Sequence, residues 1–265
     1  MRPGRVHLRA VGSRARHPLW WLPDPAAQQE EGYRRVWQNL RALSEVRDGR
    51  HDTDEWRARP GPFLMVCVPV PAEVLLPQVQ DIREALRHFP FARIHPDGFL
   101  HIPIQEVGFL TDEPVRKDDV SPARREEFIE MAGRALRDFP RFPVLLGPVN
   151  SFADAAFLDV HDDGWLSRIQ DRLVELLAVS PSTRYPYLPH VTIAHYDRSA
   201  PLGNLPGVLA EWRDTPLGSF VVTDISVVSL DTQETFPPFD LVHRFPLGTT
   251  RATGSSPVRP DPSQA

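Results

Sequence analysis

The chain has 265 residues, of which 41% are hydrophobic and 25% are charged, a balance typical of globular proteins. Its formal net charge is −5, so the whole molecule has no positive field to recruit nucleic acid, and any such chemistry must be local. The single cysteine excludes an internal disulfide and a cysteine-built zinc site. No apolar stretch has the length of a membrane span or a signal-peptide core, so we expect a cytoplasmic protein.

Residues 1–60 are expected to form an N-terminal extension with one amphipathic helix. Five arginines and no acidic residue precede Asp24, a composition that fits either a nucleic-acid-binding arm or an unstructured terminus. The polar residues 48–59 and the Pro-Gly-Pro turn after them indicate a linker. The helix is predicted from apolar residues at helical spacing, namely Tyr33, Val36, Trp37, Leu40 and Leu43.

Residues 61–248 alternate between strand and helix patterns, which predicts one mixed α/β domain. Helices are predicted at 75–89, from an N-cap at Ser121 followed by Pro122, and from a cap at Asp162 or Asp163. The residues after 248 are rich in Pro and Ser, which predicts a disordered tail over 249–265. Strands are predicted at 63–70, 99–108, 142–149, 155–160, 188–196, 220–230 and 239–245, the last two completing the sheet.

Two halves of this domain repeat the order strand, helix, strand. The last strand of each half carries a histidine behind an aromatic–leucine pair, with Phe99-Leu100 before His101 and Tyr187-Leu188 before His190. An internal duplication of this kind predicts two lobes related by a pseudo-twofold axis. Such an axis would bring the two histidine strands together at the centre of the molecule.

Alternation along each histidine strand predicts which side chains share a surface. One surface would hold His101, Pro103 and Gln105, and the other would hold His190, Thr192 and Ala194. The aliphatic residues between them, Ile102, Ile104, Val191 and Ile193, would face the core. The same alternation places His195 opposite to His190, which argues against a shared metal. The remaining histidines, His95 among them, lack partners at useful spacing and are interpreted as surface or structural residues.

The paired His-x-Thr-x strands resemble those of the 2H phosphoesterase superfamily, in particular its 2′-5′ RNA ligase and cyclic phosphodiesterase branch. The resemblance covers residues 61–248 in element order and is sharpest at His101 with Gly108 seven residues later, and at 189–194, Pro-His-Val-Thr-Ile-Ala. It implies a bilobal α/β (α+β) fold in which antiparallel sheets line a central cleft, with helices outside. Family members act on 2′,3′-cyclic phosphates or 2′-5′ linkages without metal, and some ligate RNA reversibly.

The resemblance implies that His101 and His190 are an acid–base pair and that Thr192 binds the phosphate. Opening a cyclic phosphodiester needs a base for water and an acid for the departing ribose oxygen, and imidazole suits both roles near neutrality. The expected partner is an RNA end or a nucleotide with a cyclic phosphate or a 2′-5′ linkage. We expect a monomer that needs no cofactor, no metal and no membrane.

Pro103 departs from the family pattern, because it occupies the place of the first motif threonine. Proline has neither a hydroxyl nor an N–H to donate to a phosphoryl oxygen, and Gln105 is the candidate substitute donor. Two functions therefore stay open: a phosphodiesterase, or a catalytically degenerate module that binds RNA ends or nucleotides. A third possibility is a vestigial cleft, with the N-terminal helix docking a partner.

Overall fold

The computed structural model describes residues 24–50, 52–59, 61–177 and 187–248, with only the backbone of Leu177 described. The arginine-rich residues 1–23 and the predicted tail over 249–265 lie outside these ranges. Helices and strands are numbered in chain order. Among the described helices, none combines the length and the apolar character that crossing a membrane requires.

The first of two large sheets joins strands from the beginning and the end of the domain. Its members are β2 (Phe63–Pro69), β4 (His101–Leu110), β5 (Asp119–Val120), β11 (Asp224–Leu230) and β12 (Asp240–Pro246). Their spatial order is β12-β11-β2-β4-β5, and only the β4–β5 pair is parallel. The central strand β2 is buried over almost its whole length, as its continuous apolar sequence predicts.

The second sheet is antiparallel throughout and carries the other histidine strand. Its members are β3 (Ala92–Ile94), β6 (Phe142–Ser151), β7 (Ala155–His161), β8 (His190–Tyr196) and β10 (Gly218–Val222). They lie in the order β10-β6-β7-β8-β3. A separate two-stranded sheet pairs β1 (Glu45–Val46) with β9 (Ala200–Pro201).

The described residues form six helices, and several of these begin after a residue whose side chain caps the first turn. They are α1 (Pro25–Ala42), α2 (Asp54–Arg57), α3 (Gln78–Arg87), α4 (Pro122–Leu136), α5 (Trp165–Leu177) and α6 (Leu205–Ala210), with short 3-10 turns at Ala72–Val74 and Asp97–Phe99. The side chain of Ser121 accepts a hydrogen bond from the N–H of Arg124 at 3.2 Å. Asp162, rather than Asp163, accepts from the N–H of Leu166 at 2.5 Å. Both predicted N-termini are confirmed.

The two lobes exchange strands, which the sequence patterns did not show. The strand predicted at 220–230 is two strands, β10 in the second sheet and β11 in the first, and the chain crosses between the sheets at Thr223. No glycine or proline interrupts this run, so the local pattern lacks a break. The short strand β3 lies in the chain between β2 and β4 of the first sheet, but it pairs with β8 of the second sheet. The last strands therefore complete two sheets instead of one.

The fold class predicted from the sequence is confirmed: two mostly antiparallel sheets form a bilobal α/β structure with helices outside. The main core lies between the sheets and the helices, where α3 buries Val79, Ile82 and Leu86. A smaller apolar cluster covers the other face of the first sheet, and it includes Phe63 and Met65. These two residues border the cleft described below.

The described residues before residue 61, at 24–50 and 52–59, pack on both lobes. Helix α1 contacts β6, β7 and α5, and buries Tyr33 and Leu40. The stretch predicted as a linker contains α2, whose Trp56 ring contacts Phe63 at a centroid distance of 4.8 Å. Arg59 forms ion pairs with Asp118 and Asp119 next to β5. These residues are therefore held to the domain along their length.

Candidate active site

Strands β4 and β8 come into contact where the two sheets meet. Each strand brings one motif histidine to this junction. The hydroxyl of Tyr187, just before β8, donates a hydrogen bond to the carbonyl of Pro103 on β4 at 2.9 Å. This bond ties the segment before one motif strand to the third residue of the other.

His101 and His190 line one cleft of about 320 Å³ between the lobes. The same cleft is lined by the other predicted site residues, Pro103, Gln105 and Thr192. Both histidines are partly buried. The volume lies at the small end of the range for ligand pockets, which suits a nucleotide-sized group.

The two imidazoles are held in the same way. Nδ1 of His101 lies 2.8 Å from the carbonyl oxygen of Phe99, and Nδ1 of His190 lies 2.8 Å from that of Leu188. A carbonyl oxygen only accepts hydrogen bonds, so each Nδ1 donates and carries the proton in the neutral ring. The neutral form of each ring therefore has its lone pair on Nε2.

Aromatic rings flank each imidazole on two sides, again in matching fashion. The rings meet edge to face, with centroid distances of 5.4 Å from His101 to Phe99, 5.0 Å to Phe239, 5.2 Å from His190 to Phe152 and 5.4 Å to Phe157. Such contacts restrict ring rotation without adding a charge. They leave the backbone carbonyl as the polar contact at each Nδ1.

Burial lowers the pKa of His190 below its ordinary value, because the apolar surroundings disfavour the imidazolium form. The carbonyl of Leu188 acts in the opposite direction and raises the pKa, but burial has the larger effect. His190 is therefore neutral over a wider range of pH than a solvated histidine. A neutral imidazole is the form that accepts a proton.

The prediction that His190 and His195 lie on opposite faces is wrong, since both line the cleft. Two consecutive residues of β7 pair with Thr192 and Ala194, which leaves Ile193 as the extra residue of a β-bulge. Because of the bulge, each side chain after Thr192 lies on the face of the sheet opposite to the one that strict alternation predicts. His195 consequently takes the place expected for Ala194, which is buried in the core.

The same bulge occurs in β4, three residues after its histidine. Two consecutive residues of β2 pair with Pro103 and Gln105, which leaves Ile104 as the extra residue. Glu106 thereby becomes the counterpart of His195, and it too borders the cleft. The bulge is therefore part of the duplicated unit, and simple alternation from the sequence could not reveal it.

Gln105 reaches the edge of the cleft, but its amide is engaged elsewhere. Its Nε2 donates to the backbone carbonyl of Glu106 at 2.9 Å, and its Oε1 accepts from Gln170 of α5 at 3.4 Å. Thr192, by contrast, is buried and lines the cleft beside His190. Phosphate binding by Thr192 and Gln105 stays a prediction, with the stronger geometric support for Thr192.

His95 is a lining residue that the sequence interpretation did not connect to the site. It is buried, and its Nε2 lies 3.0 Å from Nδ1 of His195. The two residues are far apart in the chain, so no spacing rule joins them. Among the described residues, no group of three or more histidine, cysteine or acidic side chains is arranged to hold a metal ion.

The segment that follows α1 also lines the cleft. Asp52 of this segment is a lining residue, as are Arg93 of β3 and residues of the loop after β11. The carboxylate of Asp52 accepts from the hydroxyl of Thr235 at 2.8 Å, and the amide of Gln233 donates to the carbonyl of Arg57 at 2.6 Å. The N-terminal segment thus forms part of the wall of the site.

The fold was compared with those of solved proteins. TT0787 of Thermus thermophilus is 20% identical, with 71% of this chain and 99% of that chain covered and a TM-score of 0.50. E. coli LigT complexed with 3′-AMP is 20% identical, with 70% and 98% covered and a TM-score of 0.49. No curated protein matches the chain.

The family is defined by a sequence match over more than half of the chain. The model of the 2′-5′ RNA ligase superfamily matches residues 68–234, a range that contains both motif histidines. The chain belongs to this superfamily, whose members are phosphoesterases and RNA ligases. The resemblance inferred from the sequence is confirmed.

Proposed function

We propose that the protein is a metal-independent phosphodiesterase that hydrolyses 2′,3′-cyclic phosphates or 2′-5′ linkages in RNA ends or nucleotides. The observation that carries this proposal is the matched placement of His101 and His190 in one cleft. Each ring has Nδ1 bonded to a backbone carbonyl, so the neutral form of each ring has its proton-accepting lone pair on Nε2. Two such groups supply both the base and the acid that the reaction needs.

In hydrolysis, His190 takes a proton from the attacking water, and His101 protonates the departing ribose oxygen. The lowered pKa of His190 supports its role as the base, because it favours the neutral, proton-accepting ring. Ligation from a cyclic phosphate end would use the same pair in the same roles: the hydroxyl of a second RNA end replaces water, His190 takes its proton as it bonds to phosphorus, and His101 protonates the departing ribose oxygen. The atoms that carry the chemistry are the two Nε2 nitrogens.

The hydroxyl of Thr192 donates to the phosphoryl oxygens, where negative charge builds up in the transition state. Pro103 provides no second donor at the equivalent place. Loss of a donor of this kind costs roughly a hundredfold in rate where nothing replaces it. We therefore expect a slower enzyme than one with two motif threonines.

The charges around the cleft favour a small substrate or a chain end over a long RNA backbone. Arg50 and Arg93 line the cleft, but so do four acidic side chains: Asp52, Glu106, Asp231 and Glu234. Binding of a polyanion depends on basic side chains that displace counterions from many phosphates. Among the described residues that line the cleft, acidic side chains outnumber arginines, so a single phosphate is the better match.

The test is incubation of the purified protein in EDTA with each of the nucleoside 2′,3′-cyclic phosphates and with a 2′-5′-linked dinucleotide. We expect conversion to one monophosphate isomer, 2′ or 3′, separated by chromatography. His88→Ala is a matched control, because His88 also has Nδ1 on a carbonyl, 3.0 Å from Glu84, but lies exposed at the end of α3. Nucleotide binding without turnover would favour the binding module, for which the absent donor at Pro103 is the specific argument.

A further inference from the structure

A buried tyrosine of the N-terminal helix contacts the residue before His190. Tyr33 of α1 is 2% exposed, and its hydroxyl lies 2.6 Å from the carbonyl oxygen of Pro189 and 2.8 Å from that of Val160. The same hydroxyl accepts a hydrogen bond from the N–H of Val160 at 3.1 Å. Tyr33 therefore joins α1 to β7 and to the start of β8 through one oxygen.

Two consecutive residues, Pro189 and Leu188, connect Tyr33 to the imidazole of His190. Pro189 is bonded to Tyr33, and the carbonyl of Leu188, one residue earlier, accepts from Nδ1 of His190. Helix α1 also lies directly on this segment, since a Cβ built on Gly32 would come within 2.9 Å of Cδ1 of Leu188. The backbone that orients the ring of His190 is thus held from the side of α1.

The other lobe holds the equivalent carbonyl in a different way. The residue before His101 is Leu100, and its carbonyl accepts a hydrogen bond from the backbone N–H of Val70 at 2.9 Å. At the matching place in the second lobe, the donor is the side chain of Tyr33. One motif histidine is therefore supported within its own lobe, and the other is supported by a helix outside the family match, which begins at residue 68.

We propose that Tyr33 is a positioning residue for His190, which makes α1 part of the catalytic unit. The expected effect on catalysis rests on the proposed function, whereas the structural claim concerns only the orientation of the His190 ring. Removal of the hydroxyl leaves the carbonyl of Pro189 without this donor, so the segment relaxes and Leu188 no longer holds Nδ1 in one place. Small displacements of a catalytic group reduce the rate strongly while substrate binding persists.

The experiment compares Tyr33→Phe with Tyr196→Phe in the full chain. Tyr196 is a matched control, because its buried hydroxyl also makes a short hydrogen bond, 2.6 Å to Oγ of Ser151. For Tyr33→Phe we expect kcat to fall about tenfold with KM unchanged. NMR of the imidazole nitrogens should show His190 losing its preference for the proton on Nδ1, while His101 in the same sample keeps its own.

Tyr196→Phe should leave both ring signals and the ratio of kcat to KM as in the wild type. Unchanged His190 nitrogen signals in folded Tyr33→Phe would overturn the proposal, as would equal changes at His101. If Tyr33→Phe does not fold, Gly32→Ala replaces it, because this variant keeps the hydroxyl and displaces Leu188. It should alter the His190 signals alone, and no alteration would count against the proposal.

A wild type without phosphodiesterase activity would defeat the proposed function but would leave this test intact. The ring-nitrogen signals of His190 and His101 are measured without substrate, so they report positioning by themselves. Changed signals at His190 with no turnover would mean that Tyr33 positions the ring in a protein that only binds. A failure of the proposed function and a failure of the proposal on Tyr33 are therefore distinguishable.

Discussion

His101 and His190 have equivalent surroundings, yet the residues that follow them differ. Both rings have Nδ1 on the carbonyl two residues earlier, both lie between phenylalanine rings, and both strands bulge three residues later. Two positions after the histidine, however, one strand has Pro103 and the other has Thr192. The two strands therefore hold their motif histidines in the same way, but only one strand has a hydroxyl two positions later.

The largest expected effect comes from the residues that the two strands share. His101→Ala and His190→Ala should each reduce kcat/KM about a thousandfold or more, because each removes either the acid or the base. The double variant should be little worse than either single one, since the two groups act as a unit. Rates on a 2′,3′-cyclic nucleotide in EDTA provide the measurement, with His88→Ala as the control.

Survival of most activity in either single variant would contradict the equivalence of the two rings. Circular dichroism and thermal unfolding should show that both variants are folded, because each imidazole lies on the cleft side of its strand.

The second comparison concerns the strand that kept its threonine. Thr192→Val should lower kcat about a hundredfold, because it removes a hydroxyl directed at charge that forms during the reaction. Valine matches threonine in shape, so the packing beside His190 is preserved. Steady-state kinetics separate the outcomes: a rise in KM alone would mean that Thr192 binds the ground state and does not favour the transition state.

The complementary change restores the missing donor in the other strand. Pro103→Thr should raise kcat by up to about tenfold and alter KM less, because the new hydroxyl acts on transition-state charge. The carbonyl that Tyr187 uses is kept in this variant. If Gln105 already supplies a donor, Gln105→Ala lowers kcat and Pro103→Thr is nearly neutral. The structure favours the first result, since the amide of Gln105 is bonded to Glu106 and Gln170.

The smallest expected effect is in the dependence on pH. Burial lowers the pKa of His190, so its neutral form persists to lower pH than that of a solvated histidine. As the base, His190 must be neutral, and kcat/KM should therefore rise with pH through a midpoint below about 6.5. A midpoint at or above this value would assign the base to another group. The profile of kcat/KM against pH on the free enzyme is the measurement.

Much of the fold was predictable, because periodicity and capping residues are local signals. Ser121 and Asp162 mark helix starts, and the paired motifs indicate that β4 and β8 meet at the centre. The crossing at Thr223 was not predictable, since pairing with a distant strand decides it and the run from β10 to β11 has no break.

The candidate site was predictable only in part, again because a sequence shows local signals and not the pairing of distant segments. His101, His190 and Thr192 follow from short motifs, and the structure brings them to one cleft. His195 was placed on the wrong face because a bulge depends on the neighbouring strand and not on the residues themselves. Tyr33 could not have been found from spacing, since its contact with Pro189 spans most of the chain.

The central claim is that His101 and His190 flank a single phosphate, and titration of their ring nitrogens by NMR tests it most directly. The titration is run with and without a saturating nucleoside 2′-monophosphate. A phosphate held between the rings favours both imidazolium forms, so the pKa of His101 and that of His190 should both rise on binding. A rise at only one of the two rings, or at neither, would contradict the account.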